Sequence, residues 1–285
     1  MGKASRKRRE RMEQVQQARE IEGLVKRARF YDAVKQIDPI VDGAETVFDV
    51  SAVFNQIDVP ETVSGASIKE WGLQVVTPPF NELFLEARLG DPLFVFEDGF
   101  VDASNVGIFI ENLDQARGDR FGVVAFISPR EWFVQCVIQL DELGYVKAIE
   151  HPGDAYEAPE RYKQDFLDII LYWALYSLQL LNCRNIVTVD HEPDPADNAA
   201  YQRHFGVPMT TYKTLAIKPM GKRYERDGEQ KQFDVMPLHI RRGNFAHYTD
   251  DAPLFGKYTG TFWRPATAVG DAKNGIRVKD YEVKP

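Results

Sequence analysis

Apolar and polar positions along this chain change period several times, and each change marks an expected element. Residues 1–29 are rich in Glu, Gln, Arg and Ala, with little apolar material before Ile21, Leu24 and Val25. That pattern predicts a flexible basic arm leading into a helix. Residues 30–75 carry short apolar clusters broken by Pro39, Gly43, Pro60 and Gly65, and the alternation of Val47, Asp49 and Ser51 with Phe48, Val50 and Val53 suggests a short strand or loop there. Thr77-Pro78-Pro79 stops whatever precedes it. Phe80, Leu83, Phe84 and Ala87 then fall at helical spacing, which predicts an amphipathic helix over Phe80 to Leu89 with Glu82 and Glu86 one turn apart on a solvated face.

From Pro92 the period shortens to that of strands. Leu93–Phe96, Gly107–Ile110, Phe121–Ile127 and Phe133–Leu140 are β-branched and aromatic runs bounded by turn residues, so three or four antiparallel strands are expected between Leu93 and Ile149. Glu160 to Leu181, with Pro159 just before it, is apolar most of the way round and reads as a buried helix ended by Asn182-Cys183-Arg184-Asn185. A strand at Ile186 to Val189, a turn at His191 to Pro195 and a short helix around Ala196 to His204 follow. Tyr212 to Pro219 and Gln232 to Arg241 alternate as two strands. The link Gly221 to Lys231, with Asp227-Gly228 at its turn, would join them as a long hairpin. Gly243 would end or bulge the second strand, and Val278 to Val283 reads as a last strand. The expected class is α+β: a mixed, mainly antiparallel sheet packed around a long buried helix over 160–181, with a β-rich C-terminal module.

Charge divides the chain more sharply than the net balance of −8 suggests. Residues 1–29 hold ten Lys/Arg against four Asp/Glu, residues 30–210 eleven against thirty, and residues 211–285 fourteen against nine. This partition defines a basic arm (1–29), an acidic α+β body (30–210) and a basic module (211–285) that can be continuous with the body. The basic ends attract phosphate, and the acidic middle repels it. Met1 leads into charges with no apolar stretch, and Phe166 to Leu181 is too short to span a bilayer and carries Asp168 and Gln179, so a cytoplasmic location and no membrane partner are expected. Cys136 and Cys183 sit in apolar surroundings and read as buried thiols in a reducing compartment.

No phosphate-binding loop, dinucleotide fingerprint, nucleophile elbow or zinc-protease motif is present. Glu97, Asp98 and Asp102 lack the spacing of a calcium loop, and His191 beside acidic residues is too little for a metal site. Asp280, Glu282 and Lys284 read as edge-strand charge. No metal or cofactor is expected. The densest chemistry lies between Pro237 and Trp263. His239, Arg241, His247 and Tyr248 could move a proton and stabilise charge on a phosphate, and metal-independent RNA cleavage uses groups of these types. Arg241, Arg242 and Lys257 could hold phosphate while Phe262 or Trp263 stacks on a base. Alternation puts His239 and Arg241 on one strand face and Leu238, Ile240 and Arg242 on the other. The same residues could equally brace loops and, with Phe255, Tyr258, Phe262 and Trp263, form a small satellite core.

The runs P-L-H-I-R-R-G-N-F-A-H-Y and P-L-F-G-K-Y-T-G-T-F-W-R-P, closing on V-K-D-Y-E-V, resemble the C-terminal signature of a group of uncharacterised phage, prophage and bacterial mobile-element proteins. Leu181 to Asn185 and Tyr212 to Leu215 are similar to that group as well, so the resemblance covers about the last third of the chain. His239, Arg242 and Gly243 match the pattern. A histidine commonly follows its Arg-Gly pair, where this chain has Asn244. If that histidine is an acid or base, the departure counts against catalysis here.

The sequence thus points first to a phage or mobile-element type of protein that binds RNA or DNA through its basic C-terminal module. The alternative is a non-catalytic interaction or assembly protein whose acidic body binds a basic protein partner. A metal-independent ribonuclease is the third reading, and whether the chain is an enzyme stays open.

Overall fold

The computed structural model describes residues 3–38, 41–54, 73, 76–89, 94–96, 99–101, 105–114, 119–128, 131–142, 144–150, 160–218, 237–241, 243–264, 267–269 and 271–276. Helices α1 (Lys3–Arg27) and α2 (Phe30–Lys35) precede strand β1 (Thr46–Asp49), the single-turn helix α3 (Ser51–Phe54) and β2 (Glu82–Arg88). Strands β3 (Phe94–Phe96) and β4 (Gly99–Val101) form a separate hairpin. Strands β5 (Asn105–Asn112), β6 (Arg120–Ser128), β7 (Glu131–Leu140) and β8 (Val146–Glu150) lead to helix α4 (Glu160–Leu181). Strand β9 (Ile186–His191), helix α5 (Pro195–Phe205) and β10 (Tyr212–Ile217) complete the main body. Five short strands end the described chain: β11 (Pro237–Arg241), β12 (Asn244–Tyr248), β13 (Gly260–Arg264), β14 (Thr267–Val269) and β15 (Asp271–Ile276).

The body is an eight-stranded mixed sheet in the order β8-β7-β6-β5-β2-β1-β10-β9. Strands β5 to β8 form an antiparallel meander. The expected runs Gly107–Ile110, Phe121–Ile127 and Phe133–Leu140 fall in β5, β6 and β7, whereas the run from Leu93 to Phe96 falls at the separate β3–β4 hairpin and β8 was not among the expected runs. At the centre, β1 runs parallel to both β2 and β10, and β9 returns antiparallel to β10. The architecture is α+β.

Two expectations are corrected by this topology. Residues 82–88 form not an amphipathic helix but the inner strand β2, paired with β1 on one side and β5 on the other. Leu83, Phe84, Leu85, Glu86 and Ala87 are all buried, so both faces of the strand are covered. In such a strand a near-continuous apolar run replaces alternation and can mimic helical spacing. The hairpin expected between 212–219 and 232–241 does not form either. Strand β10 pairs with β1 and β9, whereas β11 pairs with β14 and β15 in a separate three-stranded sheet. The link 221–231, residues 232–236 and the strand expected at Val278–Val283 lie outside the described residues. Strand β10, near the start of the basic segment 211–285, belongs to the main sheet.

The sheet's two faces carry different covers. On one face, Phe48, Leu83, Leu85, Ile108, Ile110 and Phe121 pack with α4 residues. Every residue from Ile170 to Leu180 is buried, and the β12–β13 hairpin packs Phe245 and Trp263 against Tyr176 of this stretch. The sheet is therefore a layer that α4 lies on; it does not wrap around the helix. On the other face, Val47, Phe84, Phe109, Val124 and Phe126 pack with Tyr31 and Val34 of α2. Gly107 is needed there, since a Cβ would lie 2.4 Å from Phe84 and 2.9 Å from Phe30. The end of α1 closes against α5 through Leu24, Ala28, Tyr201 and Met209. Helix α5 is well delimited: Asp194 accepts from the N–H of Ala196 at 2.8 Å, and Gly206 ends the helix at positive φ.

Candidate functional site

The four residues considered for catalysis fall on two separate small sheets. His239 and Arg241 occupy β11, opposite Val269 and Thr267 of β14. His247 and Tyr248 occupy β12, opposite Thr261 and Gly260 of β13. As adjacent strand residues, His247 and Tyr248 project to opposite faces. The His247 imidazole Nδ1 is 3.0 Å from Thr261 Oγ1, and the Tyr248 hydroxyl accepts from Arg264. Of the residues considered for phosphate and base binding, Trp263 packs against Phe245 and Tyr176 at the edge of the main core. Lys257 is exposed with its ammonium over the Tyr258 ring. Arg242 lies outside the described residues, as do Glu97, Asp98, Asp102, Asp280, Glu282 and Lys284.

Lys257 belongs to a tight loop between β12 and β13. Leu254 and Tyr258 exchange backbone hydrogen bonds of 2.8 and 3.0 Å, and between them Phe255 adopts a φ of 54°. A bulky side chain in that conformation costs about 1–2 kcal/mol. Phe255 recovers nothing by burial, since it is 69% exposed. The loop also exposes Asp250 and Asp251, so it is aromatic and not basic.

Among the described residues, a tightly coupled group of charges lies elsewhere, under α2. Arg29 places its guanidinium 2.8 Å from Asp49 Oδ2, in contact with Glu86 Oε1 and 4.0 Å above the Tyr212 ring. Asp49 and Glu86 are direct cross-strand neighbours on β1 and β2, and Thr214 on β10 continues the row. Glu86 also accepts from the N–H of Tyr31 at 3.0 Å, and buried Asp32 accepts from the N–H groups of Arg29 and Thr210 at 3.0 Å each. Burial pushes the Glu86 carboxyl above its ordinary value despite the nearby guanidinium. Burial also disfavours charge on Asp49, but bonds from Ser51 and Arg29 outweigh it and hold this carboxyl low. Arg29 is likewise desolvated, yet Glu86 and Asp49 keep it firmly protonated.

This cluster was missed in the sequence because its ion-paired members Arg29, Asp49 and Glu86 are 20 to 57 positions apart. One signal was available. Read as a strand, L-F-L-E-A places a single carboxylate inside an otherwise unbroken apolar run, and such a group must find a partner. The cluster locks α2, β1, β2 and β10 together, and Arg29 is already taken by protein carboxylates. No group of three or more His, Cys, Asp or Glu arranged for a metal ion occurs among the described residues. Both cysteines are buried and free, and burial pushes each thiol up to about 12.

Among the described residues, the β9 end of the main sheet is an exposed apolar edge. Val187, Thr188, Val189 and Asp190 are all exposed, with Val187 at 41% and Val189 at 42%. Among the described residues, no strand pairs with the outer edge of β9. The edge is bordered by acid: residues 186–197 include Asp190, Glu192, Asp194 and Asp197 and no Lys or Arg. No helix among the described residues is long and apolar enough to cross a membrane.

No protein-family model matches the chain, and no curated protein matches it. Among solved structures, the crystal structure of AcrVA2 is similar at 14% identity, covering 80% of this chain and 72% of that one, with a TM-score of 0.30. The structural similarity is distant.

Proposed function

We propose that this chain is a non-catalytic binding protein, of the phage and mobile-element type its C-terminal signature resembles, and that it binds a basic segment of another protein at the β9 end of its sheet. The observation that carries this reading is the run Val187–Asp190, exposed on an edge strand and bordered by carboxylates. An apolar, β-branched edge left open is a hazard that proteins ordinarily suppress, and its retention is explained by a partner that covers it. Catalysis is less well supported, because the described candidates are split between sheets and the tightly coupled charge cluster is spent on holding strands and helix together.

Nucleic-acid binding through the C-terminal module is the second reading. It is favoured by the surplus of Lys/Arg in 211–285 and by the exposed Phe255, Lys257 and Tyr258 of the β12–β13 loop. Asp250 and Asp251 beside that loop weigh against phosphate.

Photo-crosslinking in the native host separates the two. With a photoreactive residue at Val189, the protein-binding reading expects a protease-sensitive, nuclease-resistant adduct whose crosslinked peptide is rich in Lys or Arg. A nuclease-sensitive adduct from Tyr258, with none from Val189, would instead establish the second reading.

A further inference from the structure

The backbone of β9 shows how such a partner would bind. Lys218 N–H donates to the Asn185 carbonyl at 2.7 Å, and the β9–β10 ladder keeps its register from there to His191 opposite Tyr212. Alternate residues of an antiparallel strand bond to the same neighbour. Asn185, Val187, Val189 and His191 therefore turn their peptide groups toward β10, and Thr188 and Asp190 turn theirs to the open side. Arg184 has the outward parity too, and its N–H is already used, donating to Thr261 of β13 at 2.9 Å. The hairpin thus covers the outer edge just before β9 begins, and among the described residues no strand pairs with the outer edge of β9 itself.

The opposite edge of the sheet is treated differently. Strand β8 carries Lys147 and Glu150, ties Glu150 to Arg120, and meets β7 through a register shift between Gln139 and Leu140. Charge and irregularity of this kind discourage strand addition. Strand β9 has a regular register and no Lys, Pro or bulge, and its one carboxylate, Asp190, pairs with Lys213 beside it.

We propose that β9 accepts an extended segment of a partner protein as a ninth strand, bonded to the peptide groups of Thr188 and Asp190, in which apolar and basic side chains alternate. This rests on the protein-binding reading above and specifies its mode. The alternation follows from the two faces of β9. Val187, Val189 and His191 share one face, so apolar side chains of the added strand lie beside the two valines. Thr188 and Asp190 share the other, where Lys or Arg side chains meet Glu192 at the strand's end and the exposed side of the Asp190 carboxylate, whose Oδ1 holds Lys213. A second copy of this chain fits poorly, because two β9 edges would bring the acidic stretches 190–197 together.

The test uses the full chain and synthetic peptides of about six residues alternating Lys with Val or Thr. One version has N-methyl groups on the amides of one edge, and another has Glu in place of Lys. The proposal expects the Lys peptide to bind, the Glu peptide not to bind, and both N-methylation and Thr188→Pro to weaken binding by about tenfold or more. Thr188→Pro removes one outward N–H; the methylated peptide tests the same bonds without altering the protein. If the Lys peptide binds equally well with methylated amides and to Thr188→Pro, strand addition is wrong while a charge-driven basic partner stands. If neither peptide binds, the protein-binding reading fails with it. A dimer abolished by Thr188→Pro would overturn the proposal in favour of a second copy.

Discussion

Asn185 stands in for a peptide unit beside Trp263: its Nδ2 donates to the Trp263 carbonyl at 2.7 Å, and its Oδ1 accepts from the Trp263 N–H at 2.9 Å. The side chain is buried, and it joins the end of α4 to β13 where the hairpin packs on Tyr176. Gly243 and Gly260 belong to the same joint. A Cβ on Gly243 would lie 2.5 Å from the Trp263 ring, and one on Gly260 3.1 Å from Arg184. The runs L-N-C-R-N, G-N-F and G-T-F-W thus meet in space. At this joint the three runs form a structural interlock.

Asn185→Ala should therefore cost about 1–3 kcal/mol, because it leaves two backbone groups of Trp263 without partners. Denaturant unfolding followed by tryptophan fluorescence measures this. Asn185→Asp, which keeps the acceptor and loses the donor, should fall between alanine and wild type.

Arg29→Ala should be among the most damaging single changes, at about 3–5 kcal/mol, since it strands Glu86 and Asp49 without their cation. The double variant Arg29→Met with Glu86→Gln should be less destabilised than Arg29→Ala, because it removes the buried charge along with its partner. A double-mutant cycle in urea reads the difference. Equal losses in the two variants would mean that the pairing is not what holds α2 to the sheet.

The two carboxylates should leave opposite marks on stability against pH. Glu86 is raised above its ordinary 4.5 by burial. Its contribution is present below 4.5 and lost as pH rises through its folded value, so wild type should gain on Glu86→Gln as pH falls from neutrality. Asp49 is held below its ordinary 3.8 by Ser51 and Arg29 in spite of burial. Its contribution is present above 3.8 and lost as pH falls through its lower folded value. Wild type should therefore lose ground against Asp49→Asn only in that more acid range. Urea unfolding across a pH series checks both signs.

Phe255→Gly should stabilise the fold or leave it unchanged, by up to about 1–2 kcal/mol, because it relieves a positive φ and gives up an exposed ring. If thermal unfolding shows a clear loss instead, the ring has a packing role that its exposure does not suggest.

The local features of the chain were legible in its sequence, and the non-local ones were not. The meander from Asn105 to Glu150 pairs neighbours in sequence, so turn residues and β-branched runs suffice to find most of it. A helix over 160–181 is marked by apolarity, and its described buried stretch is Ile170 to Leu180. Strand β2 was lost because both of its faces are buried and its Glu, Leu and Ala favour helices, a local preference that pairing with β1 and β5 overrides. The insertion of β10 between β1 and β9 joins segments about 165 positions apart, and no local signal announces such a partner. Arg29 closes a basic arm whose other charges read as solvated, yet it is the cation buried against Glu86. The exposed edge was hidden for the same reason: I-V-T-V reads as any strand until its neighbours are known.

Amide hydrogen exchange along β9 tests the central claim most directly. In the free protein, Val187 and Val189 should be protected by their bonds to β10 while Thr188 and Asp190 exchange rapidly. Adding the alternating Lys peptide should slow Thr188 and Asp190 selectively. If those two amides are already protected in the free chain, or stay fast while the peptide is bound, β9 is not an acceptor edge and the account of partner binding is contradicted.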